Sequence, residues 1–298
     1  MPKICYTDIS FTSKSIDLIE NANAIIEEYQ DDNLYLTLRQ LYYQFVARGL
    51  LANKQPEYKR LGDIISKARL AGLVDWNAIE DRTRNLVELA HWTDPGHIIT
   101  ACALQFRHAK WDNQPQYCEV WIEKEALAGV IATICRDFDV PYFSCRGYVS
   151  QSEMWSAAVR LGQRRKLGQA VHIFHLGDHD PSGIDMTRDI QDRLNLFAPN
   201  CITVHRLALN ADQITKYNPP PNPAKITDSR AISYIGIYGP ESWELDALEP
   251  RVIRDLIMMN VLDIRDDEIW QASVDAEDQH RNILKNVARD WRDIGWRD

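Results

Sequence analysis

Apolar positions recur every three to four residues over 13–30 and again from Leu34 to Arg48, the period of amphipathic helices. A third such run opens at Pro56, a residue favoured at the first helical position, and extends to about Ala71. Gly72-Leu-Val-Asp-Trp76 predicts a turn, and Asn77 to Ala90 continues with polar, helical character. After the polar break Asp112-Asn-Gln-Pro-Gln116 the pattern changes. Short continuous apolar runs predict strands over 117–122, 140–145, 170–176 and 202–207, and amphipathic runs predict helices over 125–138, 151–165 and 184–197. Strands alternating with helices of about ten to fifteen residues imply βαβ units and a parallel sheet. The expectation is an α/β chain, with a mainly helical unit over 1–115 and a parallel-sheet unit over 116–298. The proline cluster Asn218-Pro-Pro-Pro-Asn-Pro223 and an acidic, helical carboxyl-terminal segment elaborate the sheet unit.

Two of the predicted strands end in acid. The run that starts at His172 stops at Asp178-His179-Asp180, and the run from Tyr117 stops at Glu123-Lys124-Glu125. Open α/β sheets bind ligands at the carboxyl ends of their strands. Glu123, Asp178 and Asp180 therefore form a candidate site for a hard cation, and Mg²⁺, which takes oxygen ligands and keeps several waters, needs only two or three carboxylates. Glu125 is either a further ligand or a first-turn acid favoured by the helix dipole, and Asp185 carries the same two readings. His179 is expected on the opposite side of the strand end from the aspartates, with a phosphate contact as the alternative. Lys124 neutralises substrate charge or is simply a surface lysine. Ser182-Gly183 offers backbone donors at a helix start, suited to an anion. Trp243-Glu244-Leu-Asp246 reads as packing and capping.

The second predicted helix contains Arg39-Gln-Leu-Tyr42-Tyr43. At about 100° per residue, Leu38, Leu41, Tyr42 and Phe45 share one apolar stripe, and Tyr43 projects about 140° from its centre. Arg39 lies one turn before Tyr43 on the same side. Tyr42 is expected in the core. Tyr43 is expected free to act, either as a positioned phenol nucleophile beside a cation or as an ordinary surface tyrosine.

Composition narrows the class without deciding it. The 298 residues are 45% hydrophobic and 26% charged, as in a soluble globular protein, and no apolar run is long enough to cross a bilayer. The amino terminus lacks the apolar stretch of a signal peptide, so a cytoplasmic, nucleoid-associated location is expected. Six scattered cysteines with no C-x-x-C pair suggest small core residues in a reducing compartment. The net charge of −9 is unevenly spread: Arg39 to Lys110 carries eleven basic against seven acidic residues, and Glu241 to Asp298 carries eight against fifteen. On the third helix Lys59, Arg60 and Lys67 oppose Leu61, Ile64, Ile65 and Ala68, a face suited to DNA phosphates or to plain solvent.

The order of Glu123, then Gly147-Tyr148, then Asp178-x-Asp180 resembles a Toprim domain, a Rossmann-like Mg²⁺ module. Preceded by Arg39-x-x-Tyr42-Tyr43, it is similar to the topoisomerase VI A subunit and the meiotic double-strand-break family, with stand-alone mini-A proteins the best match in length. The resemblance spans roughly residues 30 to 210. It implies a winged-helix domain over 1–115 and a Toprim domain over 116–298. It implies DNA transesterification in which Tyr43 forms a 5′-phosphotyrosyl link, Arg39 stabilises charge on the phosphate, and Glu123, Asp178 and Asp180 hold Mg²⁺. A homodimer, in which the tyrosine of one protomer works with the metal of the other, and a separate ATPase subunit are implied as partners. A Toprim nuclease using metal-activated water, and a DNA-binding relative without turnover, are the alternatives.

Overall fold

Thr12 opens the first helix by accepting the Ser15 amide on its hydroxyl, and α1 runs Ser13–Asp31 with Leu18, Ile19, Ala22, Ile25, Ile26 and Tyr29 buried on one face. Thr37 and Gln40 then form a reciprocal capping box, so α2 spans Leu38–Ala47. The hydrophobic pattern starts this helix at Leu34. In the structure Leu34 and Leu36 are buried but extended, and Leu36 makes an isolated parallel bridge to Ile79. Helix α3 spans Gln55–Leu70 and buries Leu61, Ile65 and Ala68. The computed structural model describes residues 3–32, 34–79 and 89–293, with side chains as far as 291. Of the helical stretch expected over 77–90, residues 77–79 form a turn and a bridge, and 80–88 lie outside the described residues. Helix α4, Pro95–Gln105, has no counterpart in the pattern-based reading. Among the described residues the amino-terminal part holds helices and isolated bridges, with no β-hairpin.

From Gln116 onward the chain alternates. Strand β1 (Gln116–Ile122) leads through a 3-10 turn at Glu125–Leu127 into α5 (Ala128–Asp137), followed by β2 (Tyr142–Ser144) and α6 (Gln151–Lys166). Strand β3 (Ala170–Leu176), α7 (Pro181–Phe197) and β4 (Ile202–Ala208) complete the sheet, which is parallel throughout in the order β2-β1-β3-β4. Helix α7 begins three residues before the amphipathic pattern does, because the Asp180 carboxylate accepts the Gly183 amide and sets the cap at that point. A longer elaboration follows β4: α8 (Ala211–Tyr217), the antiparallel pair β5 (Asn222–Pro223) and β6 (Glu241–Ser242) enclosing α9 (Ala231–Tyr238), a 3-10 turn at Leu245–Ala247, α10 (Pro250–Ile264) and α11 (Asp267–Asp293).

Helices α5 and α10 pack together against the sheet, as do α6 and α7. Strands covered in this way on both faces lose the polar alternation of a half-exposed sheet, which is why β1 and β3 read as continuous apolar runs. Glu119 is the exception inside β1. Its buried carboxylate is held by two hydrogen bonds from Arg160 at 2.9 Å each and one from Trp121 Nε1 at 3.0 Å. The apolar core divides into one cluster between Leu18 and Ile79 and another between Trp111 and Val261, and Ala247 belongs to the first. Arg251 of α10 donates to Glu28 and Asp32 and lies over the Tyr29 ring. The carboxyl-terminal elaboration thus fastens the helical part to the sheet. Helix α4 packs along α11, with Lys110 paired to Glu277 nearby.

Cys118, Cys135 and Cys145 are buried, as small core residues are, but Cys5 and Cys102 are exposed and Cys201 is half-buried. The expectation that all six sit in the core fails because Cys5 lies in the extended amino-terminal segment and Cys102 on the outer side of α4. Among the described residues no helix is long and apolar enough to cross a membrane.

Candidate active site

The parallel register pairs Ile122 with Leu176, so the two central strands β1 and β3 release their chains side by side. Glu123 leaves β1 with its amide on the Leu176 carbonyl at 2.9 Å, and the Asp178 amide donates to Glu123 Oε2 at 2.8 Å. Two glycines permit this closeness. A Cβ on Gly177 would sit 2.9 Å from Glu123 Oε2, and one on Gly183 would sit 2.2 Å from the Asp178 carbonyl oxygen. Arg206 of β4 braces the loop from below, donating to the carbonyls of Gly177, Asp178, Gly183 and Leu209 and to the Thr187 hydroxyl.

The remaining bonds of the aspartates are largely committed. Asp178 Oδ1 accepts the Leu245 amide at 2.8 Å, and Asp178 Oδ2 meets Lys124 Nζ at 2.9 Å. Asp180 Oδ1 accepts from the Ser182 hydroxyl and the Gly183 amide. His179 faces away from them, with its Nδ1 2.8 Å from the Tyr234 hydroxyl and its ring among Tyr234, Tyr238 and Trp243. At 2% exposure and enclosed by these rings it is a packing residue with no open face for a phosphate, and burial pushes its pKa down to about 4. Glu125 pairs with Arg146, and Asp185 with Tyr148, Arg188 and Arg230.

Lys124 is not a surface lysine. Its ammonium lies 2.9 Å from Asp178, 3.0 Å from Glu244 and 3.1 Å from Asp246. The Trp243-to-Asp246 segment is likewise more than packing: a backbone bridge between His179 and Trp243 brings it to the strand ends, and its two carboxylates enter the cluster. Burial opposes the Lys124 charge, but Asp246, Asp178 and Glu244 outweigh it and raise its pKa. Glu244, despite burial, is held low, at about 2, by Lys124 and Arg39. Burial and the Asp178 charge push Glu123 up to about 7, and burial raises Asp246 to about 6.

Among the described residues no group of three or more His, Cys, Asp or Glu side chains is arranged as a metal cage. The donor chemistry still suits a hard cation. Glu123, Asp178 and Asp180 supply oxygen only, and burial, followed by the charge of Asp178, raises the Glu123 pKa. The cluster is not bare of cations, however. Lys124 supplies one, so the presence of the three carboxylates does not by itself demand a metal.

Tyr43 is buried, 4% exposed, and so is Tyr42 at 5%. The helical geometry does separate them, but the face of α2 that carries Tyr43 is covered by the 3-10 turn at Leu245–Ala247 and not by solvent. Arg39 bridges the two regions. Its guanidinium lies 5.8 Å from the Tyr43 ring centroid, donates to Glu244 and places Nε 2.6 Å from Asp246 Oδ2. Burial, then Asp246 and Glu244, raise the Tyr43 pKa to about 12, while Arg39 works in the other direction. The Tyr42 ring is in the core as expected, and its hydroxyl accepts the Lys54 amide at 2.8 Å at the start of α3. On α3, Lys59, Arg60 and Lys67 are exposed, with Arg60 paired to Glu57 at 3.1 Å.

Sequence reasoning missed Arg206, Glu244 and Asp246 as site residues. A cation inside a sheet strand, and acids alternating with apolar residues at Trp243-Glu244-Leu245-Asp246, were the available signals. Comparison with protein-family models, with curated proteins and with solved structures finds no match to this chain.

Proposed function

We propose that this chain is a DNA-cleaving transesterase of the topoisomerase VI A kind, its sheet unit Toprim-like and its helical unit winged-helix-like. One observation carries the reading. Arg39 touches the candidate nucleophile Tyr43 and both Glu244 and Asp246, and those acids share Lys124 with Asp178, so nucleophile and carboxylates belong to one network.

In this reading Tyr43 Oη bonds to phosphorus as the P–O3′ bond breaks. The phenol gives up its proton and the 3′ oxygen gains one, leaving a 3′-hydroxyl and a 5′-phosphotyrosyl protein. Arg39 orients the phenol and meets charge that builds on the phosphate. Lys59, Arg60 and Lys67 would hold the flanking backbone without reading sequence. Glu123, Asp178 and Asp180 are the residues that would hold Mg²⁺, which when bound stabilises negative phosphoryl oxygens. A homodimer and an ATPase subunit remain part of the proposal; the network above lies within one protomer, so the proposal pairs Tyr43 with the carboxylates of its own chain and not with those of the partner subunit.

The experiment is to incubate supercoiled plasmid with protein and Mg²⁺, denature without protease and look for DNA joined to protein. The parent is expected to form the adduct and Tyr43→Phe to form none. A second reading, a metal-dependent nuclease using water, is favoured by the burial and raised pKa of Tyr43. Cleavage without adduct, unchanged in Tyr43→Phe, selects that reading and removes the first.

A further inference from the structure

A cavity of about 260 Å³ opens beside Tyr43, lined by Arg39, Tyr42, Tyr58, Lys54, Asn53 and Asn222 among others. It lies between the two parts of the molecule: α2 and the start of α3 form one wall, and the proline cluster with Glu244 forms the other. Asn53 ties the walls together, donating from Nδ2 to the Pro221 carbonyl at 3.1 Å and to Asn222 Oδ1 at 3.0 Å. Sites at such junctions are where small ligands ordinarily bind.

The lining has two chemical halves. The rings of Tyr42 and Tyr43 lie 5.6 Å apart and tilted by 56°, those of Tyr42 and Tyr58 5.3 Å apart and edge to face; Tyr42 and Tyr43 are buried, so half-buried Tyr58 offers the aromatic surface on which a flat ring can rest. Tyr42 is fixed by hydrogen bonds from and to the Lys54 backbone, so the wall is preformed. The other half is cationic. Lys54 is exposed and precedes the first turn of the 16-residue helix α3, which has no side-chain cap. Pro56 has no amide hydrogen and the Glu57 amide returns to the Lys54 carbonyl at 3.0 Å, so that turn adds only its dipole to the lysine charge, and Arg60 offsets the Glu57 carboxylate. Arg39 is largely neutralised by Glu244 and Asp246, which leaves Lys54 and the helix start as the anion-attracting end.

We propose that this cavity is a nucleotide subsite, taking one unpaired DNA nucleotide with its base against Tyr58 and its phosphate toward Lys54 and the start of α3. The size supports this: about 260 Å³ lies just under the roughly 300–1,000 Å³ of ordinary ligand pockets, room for one base and not for a base pair. Aromatic stacking of this kind accepts any base, and the Gln55 and Asn222 amides at the rim supply polar contacts. The inference rests on the DNA reading above and extends it, since it makes strand unpairing next to Tyr43 part of substrate recognition.

The test measures binding, without metal and without cleavage, of a fluorescent duplex carrying a short single-stranded tail, against the same duplex with blunt ends. The parent is expected to prefer the tailed DNA. Tyr58→Ala should weaken tailed binding by about 5- to 150-fold, the range that loss of one base–aromatic stack produces. Tyr58→Phe, which keeps the ring and the packing, should bind as the parent does. Lys54→Gln, an exposed substitution that leaves the core intact, should weaken tailed binding and lower its salt dependence. Equal affinity of parent, Tyr58→Ala and Lys54→Gln for tailed DNA overturns the subsite, as does an absence of preference for tails. The two proposals fail separately. Adduct formation with Tyr58-independent binding removes only the subsite, and Tyr58-dependent tail binding with no adduct removes only the transesterase.

Discussion

Arg39 Nε and Asp246 Oδ2 stand 2.6 Å apart, joining the second helix to a segment near the carboxyl end of the chain. Asp246 is almost wholly buried, and its other oxygen is held by Lys124. Replacing it by an isosteric amide removes one of the charges that balance Arg39 and Lys124. Asp246→Asn is expected to cost about 2–4 kcal/mol, somewhat below the roughly 3–5 kcal/mol of a broken buried pair because Glu244 still faces both cations, and Asp246→Glu to cost less than that. Urea denaturation monitored by tryptophan fluorescence reads the difference.

Lys124→Met removes positive charge from the same cluster and should also destabilise it. It leaves Asp178, Glu244 and Asp246 facing one another with Arg39 alone to offset them. A stability loss of about 3–5 kcal/mol is expected in EDTA. If the carboxylates accept Mg²⁺, part of that loss returns on adding it, so the melting temperature of the variant should rise with Mg²⁺ more than that of the parent.

Glu123 also sets a pH dependence. Its folded pKa is raised from 4.5 to about 7, so between those values the native state binds more protons than the unfolded one. Stability contributed by this group therefore falls as pH rises from about 4.5 to 7. His175 and His179, pushed down by burial, run the other way below pH 6.5. The informative quantity is accordingly the parent minus Glu123→Gln. Thermal melts in EDTA at a series of pH values should show the parent losing about 1–3 kcal/mol relative to the variant across that window.

Gly183→Ala tests the close approach at the start of α7. The added methyl would lie 2.2 Å from a backbone oxygen that is itself fixed by Arg206, so the backbone must move. A loss of about 3 kcal/mol or more is expected, at the upper end for a single substitution. Gly162→Ala, where a Cβ meets nothing within 4 Å, is the matched control and should be neutral or slightly stabilising.

The strand ends at Glu123 and Asp178 were legible because the central strands of a doubly covered sheet leave uninterrupted apolar runs, and acid immediately after such a run stands out. Their adjacency followed from the parallel alternation. The burial of Tyr43 was not legible. The angular separation from Tyr42 is a local property of a helix, but what covers the second face comes from Ala247 and its neighbours, distant in sequence and without a local marker. The same holds for Lys124, whose partners Glu244 and Asp246 come from that segment. Helix starts at Leu38 and Pro181 were misplaced by a few residues because caps, Thr37 and Asp180, fix them, whereas the apolar periodicity begins upstream of the cap at α2 and only three residues into the helix at α7.

The way Arg251 grips Glu28 and Asp32, and Asn53 grips Pro221 and Asn222, means that the peptide linkage between the helical part and the sheet is not what positions one on the other. Docking is done by side chains from opposite ends of the chain. A single backbone cut in the exposed stretch between Leu89 and Asp94 should therefore yield two fragments that stay associated through size-exclusion chromatography, and the halves expressed as separate polypeptides should find each other.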